Sequence, residues 1–445
     1  MAVQQHVAAS IFDINLRART AALLALAILA ATLMVVPAAQ AQTLTVLYNL
    51  GSIEGDGANP YAGLTMDAHG DLYGTASSGG YFGASCSNGC GTVFELKRSG
   101  NSFVYRPLYS FQGGNDGDAP YTAVTIGPNG SIYGTTRNGG GSEDFGTVFN
   151  LQPPATFCRT VLCPWRETVL LGFNEGNGAE PYGQPILDQA GNLYGTTTYG
   201  GYQGEGEVYE LTPSNHGWVE NILFNFADGG IGGGYQPVGG LIFDHAGNLY
   251  GTSQWGDTGG YGAVYQLTPY GGSWTETTLY SFNGGSNGGR PSTNLLMDVA
   301  GNLYGSTGWV PETNNPGTVY ELTPSGGGWT YTLLYAFPPG PEGAGNVSSL
   351  TMDSAGNLYG TTSFEGNQGC SYGCGTIFKL TPSSSGWIYT DLYDFTGGSD
   401  GAWPFGGVVL DSQGNLYGTA VYGGTGSVYC LNGAGGCGTV WELTP

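Results

Sequence analysis

Basic residues are scarce in this chain. Ten Lys and Arg stand against 33 Asp and Glu in 445 residues, a formal net charge of −23 at pH 7. A surface of that sign repels phosphate backbones and anionic headgroups, which excludes nucleic acid as a partner. Charged residues of both signs make up only 10% of the chain. Past residue 41 no long stretch keeps an apolar period of 3.6 residues, so a helical protein is excluded too. Of four histidines, only His69, His216 and His245 lie beyond residue 41. They match no metal-ligand spacing and no nucleophile–base pattern, and catalysis is left without a motif. No cofactor is required on this reading. Beyond residue 41 no apolar run reaches the ~20 residues that span a bilayer.

What is abundant is glycine, 83 residues, together with an aromatic content of 13%. Disordered low-complexity chains carry few aromatics, so this is a turn-rich folded protein. Its order is a repeat. The phrase Gly-(Asn/Asp/Ser)-(Leu/Ile)-Tyr-Gly-(Thr/Ser)-(Thr/Ser/Ala) returns with leading glycines at Gly70, Gly130, Gly191, Gly247, Gly301, Gly356 and Gly414, a period of 54 to 61 residues. A unit of that size cannot bury its own apolar face and must stack on its neighbours.

Around Gly301 the unit shows four strand-length stretches: Leu295–Asp298, Leu303–Thr307, Thr318–Leu322 and Trp329–Phe337. Turn residues bound each one, including a hairpin at 298–302 and a Thr-Pro loop at 323–328. Seven such units predict an all-β, seven-bladed β-propeller with four antiparallel strands per blade. The last unit stops after its third strand, at Pro445. Residues 44–50 match the missing fourth strand, so the N-terminal strand is expected to complete the last blade and close the ring. Strand parity then places the loops between strands two and three on one face with the crossovers between blades. That face collects the cysteine pairs and the acidic crossovers, while the three histidines fall on the other.

Residues 1–41 read differently. Arg17 and Arg19 precede an apolar run from Ala21 to Val36, and Ala39-Gln40-Ala41 supplies a small-x-small cleavage site. The pattern is that of a secretory signal peptide over 1–41, with the propeller at 42–445. Eight cysteines agree with export. They fall as close pairs and are expected to form four loop disulfides: Cys86 with Cys90, Cys158 with Cys163, Cys370 with Cys374, and Cys430 with Cys437. The expected location is the periplasm, cell surface or medium, and the expected state a monomer.

The unit Asp-x-x-Gly-Asn-Leu-Tyr-Gly-Thr-Thr, followed by Gly-Thr-Val-Tyr-Glu-Leu-Thr-Pro, Trp and Leu-Tyr-x-Phe, resembles the GloVer (Gloeo-Verruco) tandem repeat. Gly301–Thr307 and Gly317–Pro324 carry it almost in full. The resemblance implies an exported bacterial protein and names no biochemical role. Some members end in an anchoring segment, whereas this chain ends at Thr444-Pro445 without an apolar tail.

The hairpin carboxylates Asp67, Asp188, Asp244, Asp298, Asp353 and Asp411, replaced by Gly127 in the second unit, suit turn amides two or three residues on. The tyrosine of each Leu-Tyr-Gly is expected between blades, with the following glycine letting the adjacent sheet come close. In the crossovers, Asp56, Asp116, Asp118 and Asp400 offer carboxylate oxygens of the kind Ca²⁺ takes, although Asp-Gly is also ordinary turn chemistry. Tyr61, Tyr121, Tyr182 and Trp403, each beside a proline, are candidates for stacking on a glycan. Loops 159–165, 309–315 and 338–345 break the symmetry most. The expected function is a non-catalytic binding or scaffold module for a glycan or protein. The alternative is a secreted carbohydrate-active enzyme, hydrolase or lyase, built from carboxylates converging across blades.

Overall fold

A computed structural model describes residues 42–445 except 84–85, 155–164, 228–233, 257–258, 309, 314, 316, 339–344, 367–368, 429 and 431–435. Residues 1–41, read above as a signal peptide, and most of the loops 159–165 and 338–345 lie outside the described residues.

Seven four-stranded antiparallel sheets make up the described propeller, and six of them are simple meanders of strands that follow one another in sequence. Blade 5 shows the unit: Leu296–Met297, Leu303–Thr307, Thr318–Ser325 and Gly328–Ala336. The third and fourth strands run further than the turn residues suggest. Pro324 pairs with Trp329 inside the ladder, and the connection shrinks to Gly326-Gly327. Proline is tolerated there because this end of the strand is exposed and only lightly tied. Blade 7 takes Val409–Leu410, Leu416–Ala420 and Thr439–Thr444 from the C-terminus and Thr43–Asn49 from the N-terminus, which closes the ring.

Each blade stacks on the next through aromatic side chains. Strand three carries a fully buried ring, Phe94, Phe149, Tyr209, Tyr265, Tyr320, Phe378 or Trp441 in blades 1 to 7. The phenylalanine that ends Leu-Tyr-x-Phe meets the next blade's ring edge-on, as in Phe111–Phe149 at 5.1 Å and Phe282–Tyr320 at 5.2 Å between centroids. Such pairs contribute ~1 kcal/mol each beyond the area they bury. In the closing strand Leu50 takes the phenylalanine's place and packs with Phe94. The Leu-Tyr-Gly tyrosines also sit between blades, Tyr250 against Trp329 and Tyr304 against Trp387. The glycine after each has a different reason from the expected one. Gly305 lies directly across the ladder from Tyr320 of its own blade, and a Cβ there would enter the phenol ring.

The hairpin carboxylates are turn locks. Asp298 accepts from the amides of Ala300 and Asn302, two and four residues on, both at 2.9 Å. Its other oxygen accepts from the Asn302 side chain and the Tyr304 hydroxyl. Blade 2, lacking the carboxylate, turns through a short 3-10 segment at Pro128–Gly130 instead.

Three of the four expected disulfides join cysteines of the described residues: Cys86–Cys90, Cys370–Cys374 and Cys430–Cys437. The fourth is not among them. Cys158 and Cys163, expected to pair with each other, both fall within 155–164, so that expectation lies outside the described residues. No helix among the described residues is long and apolar enough to cross a membrane.

Candidate functional site

The crossovers between blades do pair with the loops that follow strand two, as in Ala179 with Tyr199 and Ala402 with Tyr422. One face therefore carries both, and its centre is the mouth of the channel.

Six crossovers place a non-glycine residue in the left-handed region immediately before a Pro: Asn59, Ala119, Glu180, Gln236, Arg290 and Trp403, with φ between 50° and 57°. That conformation costs ~1–2 kcal/mol for a residue with a Cβ. Two backbone hydrogen bonds hold it. Each amide donates to a carbonyl of the preceding blade, for example Ala119 to Cys90 at 3.0 Å and Trp403 to Cys374 at 2.8 Å. Each carbonyl accepts from the residue following strand two of its own blade, as Asn59 does from Ser77. A ring of hydroxyls adds a second seam. Thr75, Thr135, Thr196, Thr252, Ser306, Thr361 and Thr419 each donate to a crossover carbonyl of the next blade, and Thr419 to Ala62 closes the circle.

The left-handed turn and the proline aim the next side chain into the channel. Tyr61, Tyr121, Tyr182 and Phe405 meet there as one arc, with ring centroids 4.8 Å apart for Tyr61–Tyr121, 5.8 Å for Tyr121–Tyr182 and 5.6 Å for Tyr61–Phe405. They line a cavity of about 660 Å³ to which all seven blades contribute. Its polar lining is neutral, from Thr122, Gln184, Gln254, Ser292, Thr293, Asn294 and Asn346, and no carboxylate, imidazole or cationic group is among the described lining residues. Beside the arc, the Arg137 guanidinium lies over Tyr121 and Tyr182 and pairs with Glu180 at 3.1 Å. Burial pushes the Tyr182 phenol up to about 12, and burial with the Tyr422 hydroxyl raises Tyr61 further. Both stay neutral donors at any physiological pH.

Three of the four candidate aromatics thus come together, and the fourth does not. Trp403 precedes its proline and turns away, packing on Phe364 and Tyr422 while its indole donates to the Gly373 carbonyl. Phe405 fills the position in the arc. Residue type alone favours Trp403; counting from the proline picks Phe405.

The acidic candidates are engaged locally. Asp56 accepts from the Tyr48 hydroxyl and the Ser52 and Gly57 amides. Asp116 accepts from the Tyr109 hydroxyl and the Gln112 amide, both at 2.6 Å. Asp400 accepts from the Tyr393 hydroxyl and the Thr396 amide and hydroxyl. Each ties its crossover turn to the preceding strand. Asp118 is 5% exposed, and burial raises its carboxyl above the usual range despite the Asn138 side chain. Among the described residues no three His, Cys, Asp or Glu side chains converge as a metal group.

The sequence matches the Gloeobacter/Verrucomicrobia repeat over residues 32–168, 165–370 and 301–445, and the chain belongs to that family. No curated protein matches it in sequence. Among solved structures, a fungal alcohol oxidase in complex with copper superposes with a TM-score of 0.56 at 13% identity, over 91% of this chain and 77% of that one. An ulvan lyase from a new polysaccharide lyase family gives 0.52 at 11% identity, over 88% and 95%. A gluconolactonase from Xanthomonas campestris gives 0.41 at 15% identity, over 72% and 86%. At these identities the likeness is one of fold.

Proposed function

We propose that this member of the Gloeobacter/Verrucomicrobia repeat family is a non-catalytic binding module, acting at the cell surface or in the medium on an uncharged saccharide chain. The observation that carries the reading is the arc of Tyr61, Tyr121, Tyr182 and Phe405 in a neutral cavity of about 660 Å³. Aromatic faces receive the C–H faces of sugar rings, while Gln184, Asn294 and the phenol hydroxyls suit sugar hydroxyls. Around the mouth, the loops after strand two expose further rings: Tyr81, Tyr199, Tyr202 and Tyr372. An acidic surface disfavours polyanionic glycans and leaves neutral ones. The cysteine pairs and the signal pattern of residues 1–41 support work outside the cytoplasm.

The test is calorimetric titration of the purified protein with neutral soluble oligosaccharides. Tyr121→Ala and Tyr182→Ala should each weaken the ligand at least tenfold, about 1.4 kcal/mol. Tyr270→Ala, on an exposed hairpin of the other face, should leave the affinity unchanged. The reading fails if no neutral saccharide binds, or if both arc variants bind like the parent.

A further inference from the structure

Strand three opens on a hydroxyl in five blades: Thr92, Thr147, Thr318, Thr376 and Thr439. Blade 4 has Ala263 there. Blade 3 alone has a carboxylate, Glu207, and it is 0% exposed.

Neither oxygen of Glu207 has a hydrogen-bond partner among the described residues. Two other buried oxygens nearby share that condition, Thr197 Oγ1 and Glu220 Oε1; the Tyr209 hydroxyl does too, but like those of Tyr265 and Tyr320 it lies over the strand-two glycine of its own blade, Gly195, away from strand four. The ladder explains their company. Glu207 pairs with Thr197 across strand two, and Tyr209 follows two residues on, on the same side of the sheet. Glu220 lies opposite Leu211 on that same side, in strand four. Phe173 of blade 2 packs on Tyr209, so the group is sealed between two blades. Room for the carboxylate comes from two glycines. A Cβ on Gly178 would come within 3.0 Å of Glu207 Oε1, and one on Gly201 within 2.8 Å of Oε2. Asn177 donates to the second oxygen of Glu220 at 2.8 Å, which orients that carboxylate.

Four buried oxygens without a partner, two of them on one carboxylate, are costly to leave bare. The set holds two carboxylates and one hydroxyl, and among the described residues no nitrogen donor bonds to Glu207. Hydroxyls and carboxylates are hard oxygen ligands, of the kind a divalent cation such as Ca²⁺ collects in irregular number with water completing the shell. We propose that blade 3 holds one buried Ca²⁺-type cation between Glu207 and Glu220, with Thr197 contributing its hydroxyl oxygen, and that the cation clamps blade 3 to blade 2. Its competitor for the space is a proton: burial and the neighbouring Glu220 push the bare Glu207 carboxyl up to about 8.

The test is equilibrium dialysis and differential scanning calorimetry on the purified protein, stripped with chelator and titrated with CaCl₂. One saturable Ca²⁺ per chain is expected, with a rise in melting temperature of a few degrees at saturation. Glu207→Thr installs the hydroxyl that five other blades carry and should abolish both effects while the protein remains folded. Glu220→Gln should weaken the binding at least tenfold, and it serves if the first variant fails to fold. No bound Ca²⁺ in the parent protein overturns the proposal. So does Ca²⁺ binding that survives Glu207→Thr. A metal-independent rise in melting temperature on Glu207→Gln, with no Ca²⁺ response in the parent, assigns the pocket to a protonated acid and also overturns it.

Discussion

The amide of Asn59 donates to the carbonyl of Cys437 at 2.8 Å, joining the first blade to the last. The same bond recurs from Ala119 to Cys90 and from Trp403 to Cys374. In all three cases the acceptor belongs to a disulfide-bonded cysteine. At the seams of Glu180, Gln236 and Arg290 the acceptors are Phe145, Glu205 and Tyr261, which have no such staple.

Reduction should therefore act on some seams and spare others. Each short loop released is expected to cost ~2 kcal/mol. Hydrogen exchange at the amides of Asn59, Ala119 and Trp403 should quicken in reductant, with those of Glu180, Gln236 and Arg290 unchanged. Uniform protection before and after reduction would contradict the assignment.

Two glycines of one blade should respond differently to alanine. Gly301, at φ +84°, has open space where a Cβ would go, so only the backbone conformation is strained, at ~1 kcal/mol. Gly305 lies against the Tyr320 ring, and Gly305→Ala should cost ~1–3 kcal/mol by overpacking. Urea midpoints of the two variants measure the difference, and equal losses would rule out the packing account.

Asp298→Ala removes an acceptor from two amides, an amide side chain and a phenol. The site is largely solvated, so the expected loss is only ~1 kcal/mol. Asp298→Asn keeps one acceptor oxygen for the amides and should recover about half of it. A thermal melt of both variants decides the order.

Stability should peak in mild acid. Burial opposes ionisation of Asp244, Asp298, Asp353 and Asp411, but the hydrogen bonds from their Asn, Tyr and turn amides outweigh it and hold all four below the usual 3.8. Their contribution is complete above pH ~4 and is lost as pH falls through the depressed values. Other carboxyls act in the opposite sense. Burial and Asp116 push Glu167 up to about 7, burial with Asp391 and Asp394 takes Glu365 to about 7, and burial with Asp394 takes Asp391 to about 6. The folded state keeps those protons after the unfolded chain has lost them, and the bare Glu207 carboxyl, pushed up to about 8, does the same, so stability declines as pH rises from about 4 to about 8. Melting temperatures from pH 3 to 8, with chelator present, should show a maximum near pH 4–5. Glu167→Gln with Glu365→Gln should flatten the decline above it. A maximum at pH 7 or higher would refute the balance.

The blades are legible in the sequence because their determinants repeat. A turn lock such as Asp298, an aromatic such as Tyr320 and its facing Gly305 recur at fixed offsets, and seven copies outweigh any single ambiguous position. Closure by residues 44–50 is legible for the same reason, since an absent fourth strand and a spare first one match. Strand ends are less so: Pro324 reads as a loop residue, yet the exposed end of a strand accommodates it. At the channel the pattern misleads at one blade, by two residues. Trp403 and Phe405 flank the same proline, and only the left-handed turn before it determines which side chain faces inward. Glu207 escapes notice because a lone glutamate in a strand has no motif. Aligning the strand-three openings against Thr92, Thr147, Thr318, Thr376 and Thr439 exposes it.

The strand Thr43–Asn49 leaves the ribosome before every other strand of the propeller, and its partner Thr439–Thr444 leaves after them all. Blades 2 to 6 can settle one upon another as they emerge, since each packs on the blade just made, while blade 1 keeps one side open for blade 7. The seventh cannot. Its outer strand waits with its amides and carbonyls unpaired while the other strands of the propeller are made, and the loop it must finally close is as long as the propeller itself. The order of synthesis and the order of assembly therefore run oppositely at one place, and the first strand made is the last to find its sheet.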